Sequence, residues 1–159
     1  MEQCEYRGYS FMVCREGGTM SLLQYRKMID LLEERKPCEI IVLGCGQSTV
    51  IFEQYTEKYG GRLVSIEDDS EYARKDTRVF KVVEPGKLKI GEKEYGRCNY
   101  YDGLEKFLVE RGVRYDFVSV DSPVGYRFRE MFEFGRVQLL DFVVLDLMKE
   151  KCTVQIHDA

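Results

Sequence analysis

Glu39-Ile40-Ile41-Val42-Leu43-Gly44-Cys45-Gly46-Gln47-Ser48-Thr49 is the stretch on which the fold turns. Its first five residues are rich in branched apolar side chains, as in a short strand buried on both faces of a parallel sheet. The glycines then allow a sharp turn and a close approach of ligand to backbone. The helix that follows offers unsatisfied N–H groups at its start. Ser48 or Thr49 is expected to cap that helix, in which Ile51, Phe52, Tyr55 and Tyr59 keep helical spacing until Gly60-Gly61 ends it. Arg62-Leu63-Val64-Ser65-Ile66 reads as a second strand, closed by Glu67-Asp68-Asp69. Residues 39–67 therefore spell strand, glycine turn, helix, strand: one βαβ unit with a right-handed crossover.

Upstream, Leu22, Tyr25, Met28, Ile29 and Leu32 recur at three and four, the stripe of an amphipathic helix that Pro37 ends. Residues 1–18, with Gly8, Gly17 and Gly18, show no sustained period and read as an irregular or weakly paired lead-in. Downstream, Asp69 or Ser70 is expected to cap a short helix to Arg78, followed by a third strand, Val79-Phe80-Lys81-Val82-Val83, ended by Pro85-Gly86. Residues 87–101 suit a small inserted hairpin. Asp102, with Glu105 three residues on, suits the start of a helix through Arg111. Residues 116–120 read as a fourth strand, residues 121–129 as a loop, residues 135–150 as a long helix with a wide apolar surface, and residues 152–156 as a fifth strand. This alternation predicts an α/β fold. It is a doubly wound, mostly parallel Rossmann-like sheet with flanking helices, one domain over residues 1–159, its ligand crevice beyond the carboxyl ends of the strands.

Composition bounds the function. The chain has 159 residues, 44% hydrophobic and 33% charged, too apolar for disorder. The net charge of −4 is a poor start for neutralising a nucleic-acid backbone, so no nucleic-acid partner is expected. The longest apolar run, Leu139 to Met148, contains Asp141 and Asp146 and is too short to cross a bilayer, so no membrane role is expected. Met1-Glu2-Gln3-Cys4-Glu5 lacks the basic flank of a secretory signal, which makes the cytoplasm the expected location. The 6 cysteines form no C-x-x-C pair and the chain has 1 histidine, so they read as reduced thiols, without a zinc site.

The chemistry-bearing residues gather at the predicted strand ends. Glu67 closes the second strand, where a carboxylate can accept hydrogen bonds from both hydroxyls of a ribose. Asp121, His157 and Asp158 end the fourth and fifth strands and are the candidates for a general base. Asp121 and Asp158 could instead share a hard divalent cation with substrate oxygens, an alternative that two acids without a third ligand support only weakly. Arg127, Arg129 and Arg136 are candidates for gripping an anionic substrate. A dinucleotide site wants G-x-G-x-x-G or alanine, whereas the sixth position after Gly44 is Thr49, which disfavours tight packing of a pyrophosphate.

Taken together, Val42-Leu43-Gly44-Cys45-Gly46, Ser65-Ile66-Glu67, Phe117-Val118-Ser119-Val120-Asp121 and Val154-Gln155-Ile156-His157-Asp158 resemble the class I S-adenosylmethionine-dependent methyltransferases. The likeness runs through residues 20–159. It implies S-adenosylmethionine as cofactor, its methionine end at Gly44, Cys45, Gly46 and Ser48, its ribose at Glu67, its adenine near Tyr101 or Asp102, and Asp121 facing the reacting end. Asp121-Ser122-Pro123 also looks like the Asp-Gly-Pro-type loop of several small-molecule O-methyltransferases, with Ser122 in place of the glycine. The chain departs from the family at Val42, where an acid is usual, and at Ser48, where a third glycine is frequent. It also ends at the fifth strand, where the family usually adds two more.

The expected activity is methyl transfer to a small molecule, at oxygen. The alternatives are a NAD-binding oxidoreductase on the same fold and a non-catalytic Rossmann-like assembly module. The apolar surface of the 135–150 helix makes a homodimer through that helix an expectation as well.

Overall fold

The computed structural model describes residues 1–14, 20–90, 92–121 and 138–157, with side chains described for all of these except 83–90 and 93–100. The chain opens with two strands, β1 (Glu2–Tyr6) and β2 (Tyr9–Val13), paired antiparallel through a turn in which Arg7 and Gly8 take positive φ. Of the two readings of the lead-in, irregular or weakly paired, residues 2–13 take the paired one, as a hairpin. Its anchor is not local: Tyr9 and Phe11 are buried against the following helix, and the Phe11 and Tyr25 rings lie 5.1 Å apart.

Helix α1 (Leu22–Arg35) begins at Ser21, whose hydroxyl accepts the Gln24 N–H while the Gln24 side chain accepts the Ser21 N–H. Strand β3 (Glu39–Leu43) is buried at every position, as its sequence demanded. Helix α2 (Gln47–Tyr59) starts earlier than expected. Gly46 is its cap, and Thr49 acts from inside the first turn, its hydroxyl accepting the Gly46 N–H at 3.1 Å. Strand β4 (Arg62–Glu67) follows.

No helix forms after β4. The Asp69 carboxylate accepts the Glu71 N–H at 2.9 Å, as a helix cap would, but the bonds that follow, Tyr72 N–H to Asp69 O and Ala73 N–H to Ser70 O, are those of turns. The third strand of the sheet is β5 (Thr77–Val79), and Val82 onward belongs to a separate ribbon of β6 (Val82–Ile90) and β7 (Lys93–Tyr101). That ribbon's register shifts between Val83 and Gly86, around Pro85, which has no N–H to give a ladder. Helix α3 (Leu104–Arg111) is capped by Gly103 with φ 79°, not by Asp102, whose N–H is committed to Lys81 O at 2.7 Å.

After β8 (Tyr115–Val120), the described chain resumes at Gln138 with α4 (Leu139–Val144). The expected long helix does not reach Glu150: Asp146 takes φ 53°, and Met148–Ile156 is strand β9. Among the described residues, the 135–150 helix expected to carry a homodimer is thus the six-residue α4, followed by a turn and the start of β9. The residues expected to form its start lie outside the described residues.

The central sheet runs β5-β4-β3-β8-β9, every neighbouring pair parallel. Ile40, Val42, Leu63 and Phe117 face α1, α2 and the N-terminal hairpin. Ile41, Leu43, Val64, Ile66, Val118 and Val120 face α3 and α4. Burial of both faces explains why these strands carry continuous apolar runs without alternation. The chain leaves β3 toward β4 on one side and returns to β8 on the other, so strand order switches at the carboxyl end of β3.

Candidate functional site

Along the carboxyl rim of the sheet, backbone bonds tie each strand end to its neighbour. The His157 N–H reaches Val120 O at 2.9 Å, Asp121 N–H reaches Leu43 O at 2.8 Å, Gly44 N–H reaches Ile66 O at 2.7 Å, and Phe80 N–H reaches Glu67 O at 2.9 Å. His157, Asp121, Gly44 and Glu67 therefore stand in that order along one edge. The parallel register produces this alignment, because it brings the ends of β9, β8, β3 and β4 level.

Glu67 is 5% exposed and its carboxylate is turned back on the loops. Oε2 accepts the Cys45 N–H at 2.7 Å, and Oε1 accepts Asp68 N–H at 2.9 Å and Asp69 N–H at 3.1 Å. A carboxylate has about four acceptor positions, so three are filled and the fourth is not. Gly44, with φ 97°, makes the bend that delivers Cys45 to this carboxylate. Gly46 is extended, and a Cβ built there meets nothing within 4 Å, so the turn is open on its outer side.

Cys45, Gly46, Gln47 and Ser48 line a cleft of about 400 Å³ together with Asp121, His157, Met20, Tyr25 and Tyr72. This size falls within the usual range of small-ligand sites. Helix α2 begins at this cleft, and the first N–H groups of a helix have no i−4 partner within it. Asp121 Oδ1 lies 3.2 Å from His157 Nδ1, which sets a carboxylate against an imidazole at the cleft. Burial, reinforced by the Asp121 charge, pushes the Tyr25 hydroxyl up to about 12, so Tyr25 borders the cleft as a neutral phenol. Burial likewise raises the Cys45 thiol, which rests 3.4 Å from Thr77 Oγ1.

Tyr101 and Asp102 do not share this cleft. They line a second one of about 550 Å³ with Gly103, Glu105 and Gln138. Gln138 clasps the Tyr101 backbone, accepting its N–H at 2.7 Å and donating to its carbonyl at 3.0 Å. Asp102 nevertheless sits one step beyond Glu67 along the rim, through the bonds at Phe80 and Lys81. Asp158, Ser122 and the arginines Arg127, Arg129 and Arg136 lie outside the described residues. Among the described residues, no group of three or more His, Cys, Asp or Glu side chains is placed to hold a metal ion, and no helix is long and apolar enough to cross a membrane.

Reading the sequence did not single out Gln47, Tyr25 or Tyr72 as cleft residues. Tyr25 belongs to the apolar stripe of α1 and reads as core. Tyr72 lies in a turn taken for a helix. Gln47 alone carried a positional signal, being the residue next to the second glycine.

No family model matches the chain. Over 119 residues it is 26% identical to glucuronoxylan 4-O-methyltransferase 1 of Arabidopsis thaliana, an alignment covering 60% of this chain and 41% of the relative. The structure of SAH-bound Podospora anserina methyltransferase PaMTH1 superposes with a TM-score of 0.55 at 16% identity, over 87% of this chain and 53% of that one. The fold is the Rossmann-like fold of class I methyltransferases. This chain spans roughly half or less of the length of both matched proteins. Within that fold, the glycine turn and Glu67 occupy the switch point of strand order, the place where α/β sheets of this kind take ligands.

Proposed function

We propose that the chain binds S-adenosylmethionine in the cleft at the carboxyl ends of β3, β8 and β9 and transfers its methyl group to a hydroxyl of a small molecule. The observation that carries this reading is the clasp between Glu67 and the Cys45 N–H. It joins the acid closing β4 to the turn closing β3, so a nucleoside and its amino-acid tail can be gripped by adjacent groups. In this reading Gly44, Cys45, Gly46 and Ser48 hold the amino-acid end, the open acceptor position of Glu67 takes a ribose hydroxyl, and the adenine extends toward Tyr101 or Asp102. When bound, the cofactor supplies an electrophilic methyl group on a sulfonium.

The chain's own contribution is mainly placement, since in-line displacement gains most from holding two reactants in register. Asp121 and His157 then take up the proton of the acceptor hydroxyl and hold it between Oδ1 and Nδ1. Asp158 is adjacent in sequence and belongs to the same proposed base group. The oxygen acceptor is favoured by the Arabidopsis relative, which is named for methylation at an oxygen. A nicotinamide dinucleotide is disfavoured because the Thr49 hydroxyl already occupies the Gly46 N–H that a pyrophosphate would use. We infer a cytoplasmic setting from Cys4, Cys14, Cys38, Cys45 and Cys152, all free thiols.

Calorimetric titration with S-adenosylhomocysteine and with NAD tests the proposal. Binding of the first alone, lost in Glu67→Ala, is the expected result. Absence of S-adenosylhomocysteine binding by the unmodified chain would overturn it.

A further inference from the structure

Residues of α3 and α4 wall the cleft of about 550 Å³ beside Tyr101, and the walls combine two chemistries. Among the described residues that line it, the carboxylates of Asp102, Glu105, Glu110 and Asp141 stand against one ammonium, that of Lys106. Lys106 is already paired with Glu110, at 3.8 Å. Glu105 and Asp141 lie in the first turns of their helices, where the dipole favours an acid. That local reason does not reach Glu110, which lies in the last turn of α3, where a negative charge is disfavoured. Nor does it remove repulsion between the walls. Burial, together with the Glu105 charge, raises the Asp141 carboxyl above its ordinary range even though the Gln138 side chain bonds to it.

The second chemistry is apolar. Val109 lines the same cleft and is 55% exposed. On α4, Leu140, Val143 and Val144 stand at i, i+3 and i+4 and are all exposed, Val144 to 80%, while Phe142 fills the core from the other side. Val144 is the i+3 neighbour of Asp141, so the acidic cleft opens onto an apolar shoulder. A short helix that is apolar on both sides leaves a patch that water disfavours, and such patches mark places where another chain sits.

We propose that the groove between α3 and α4 docks an amphipathic helical segment of a partner protein, its lysine or arginine side chains entering between Glu105 and Asp141 and its apolar side chains covering Val109 and Val144. Charge complementarity selects this occupant. A cation set between two like charges relieves their repulsion, and the apolar side chains beside it cover the valines, so one segment satisfies both walls. An acidic segment would meet the carboxylates unfavourably, and a free polyamine would leave the valines in water. The groove is distinct from the cleft at the ends of β3, β8 and β9, so the proposal stands apart from the cofactor reading.

The test uses a labelled designed helix of about 18 residues, with leucines at helical spacing on one face and lysines flanking them, titrated by fluorescence anisotropy. The controls are the same helix with glutamates for the lysines and a scrambled peptide of the same composition. The unmodified chain is expected to bind the basic helix about tenfold or more tightly than either control, with affinity falling as salt rises. The double variant Glu105→Gln, Asp141→Asn should weaken binding about tenfold or more without lowering the melting temperature, because it removes a repulsion. Val144→Ser, at an exposed position, should weaken it as well, whereas Glu57→Gln on the exposed side of α2 should leave it within about twofold. Equal binding of the basic and scrambled peptides, or indifference to both groove variants, overturns the proposal. Displacement of the helix by S-adenosylhomocysteine assigns the groove to the nucleoside, and equally tight binding of spermidine assigns it to a small polycation; either result overturns it. A dimer of the chain alone that Val144→Ser returns to monomer gives the apolar shoulder to a second copy, which also overturns it.

Discussion

The carboxylate of Glu67 accepts the backbone N–H of Cys45 at 2.7 Å, so the last residue of β4 is latched to the turn that leaves β3. Two features 22 residues apart in sequence become one rigid rim. Glu67→Ala leaves three N–H groups, those of Cys45, Asp68 and Asp69, without their acceptor. Partial solvation of Asp68 and Asp69 limits the damage, so a stability loss of about 1–3 kcal/mol is expected, measured by denaturant unfolding. An unchanged unfolding midpoint would show that the latch is not formed in solution.

The two glycines of the turn should separate stability from binding. Gly44, at φ 97°, sits where a side chain is strained, and Gly44→Ala should destabilise the protein by about 1–2 kcal/mol. Gly46 is extended with open space where a Cβ would go. Gly46→Ala should therefore melt within about 0.5 kcal/mol of the unmodified protein yet bind S-adenosylhomocysteine more weakly, because the added methyl enters the cleft. If Gly46→Ala binds normally, the ligand does not lie over the turn.

Asp121→Asn keeps the size of the side chain at the mouth of the cleft but weakens its pairing with His157 Nδ1. Once an acceptor is in hand, kcat should fall by about a hundredfold or more while the affinity for S-adenosylhomocysteine changes little. A parallel loss of cofactor affinity would instead make Asp121 a binding residue.

Acid should act through Glu33, far from the cleft. Burial alone would raise its pKa, but hydrogen bonds from Lys36, Tyr59, Tyr9 and Lys58 outweigh that and hold the carboxyl well below the usual range. A depressed folded pKa means the stabilisation is complete above the ordinary glutamate value of about 4.3 and is lost as the pH falls below it. The unfolding free energy should therefore drop more steeply below about pH 4 in the unmodified chain than in Glu33→Gln. Parallel pH profiles for the two proteins would remove Glu33 from this role.

The legible parts of the molecule were those whose signal is local. Residues 39–67 announced strand, turn, helix and strand because each element carries its own period or punctuation, and Glu67 follows from counting along that unit. The N-terminal hairpin was illegible because what holds it is remote: Gln54 and Gln47 pair with its backbone from a helix about forty residues away. The 139–148 run misled for another reason. Its apolar residues have no period that separates a buried helix from a buried strand, and the decision falls to pairing of β9 with β8. Asp146 at φ 53° marks the break, and aspartate tolerates that conformation better than most residues, though its identity alone does not reveal it. At the site, the strand-end acids and the glycines were visible. Tyr25 and Gln47 were not, since only the folded chain shows which side of a helix borders a cleft.

The β6–β7 ribbon has its two roots side by side, joined where the Asp102 N–H meets Lys81 O at 2.7 Å. Everything between them is a side branch off a closed junction. Its length is then nearly independent of the carboxyl rim of the sheet, and exchanging it for a longer or shorter segment costs only the entropy of closing a loop, about 0.6 kcal/mol for each doubling. This position is where the domain can acquire a new appendage while the strand ends keep their spacing.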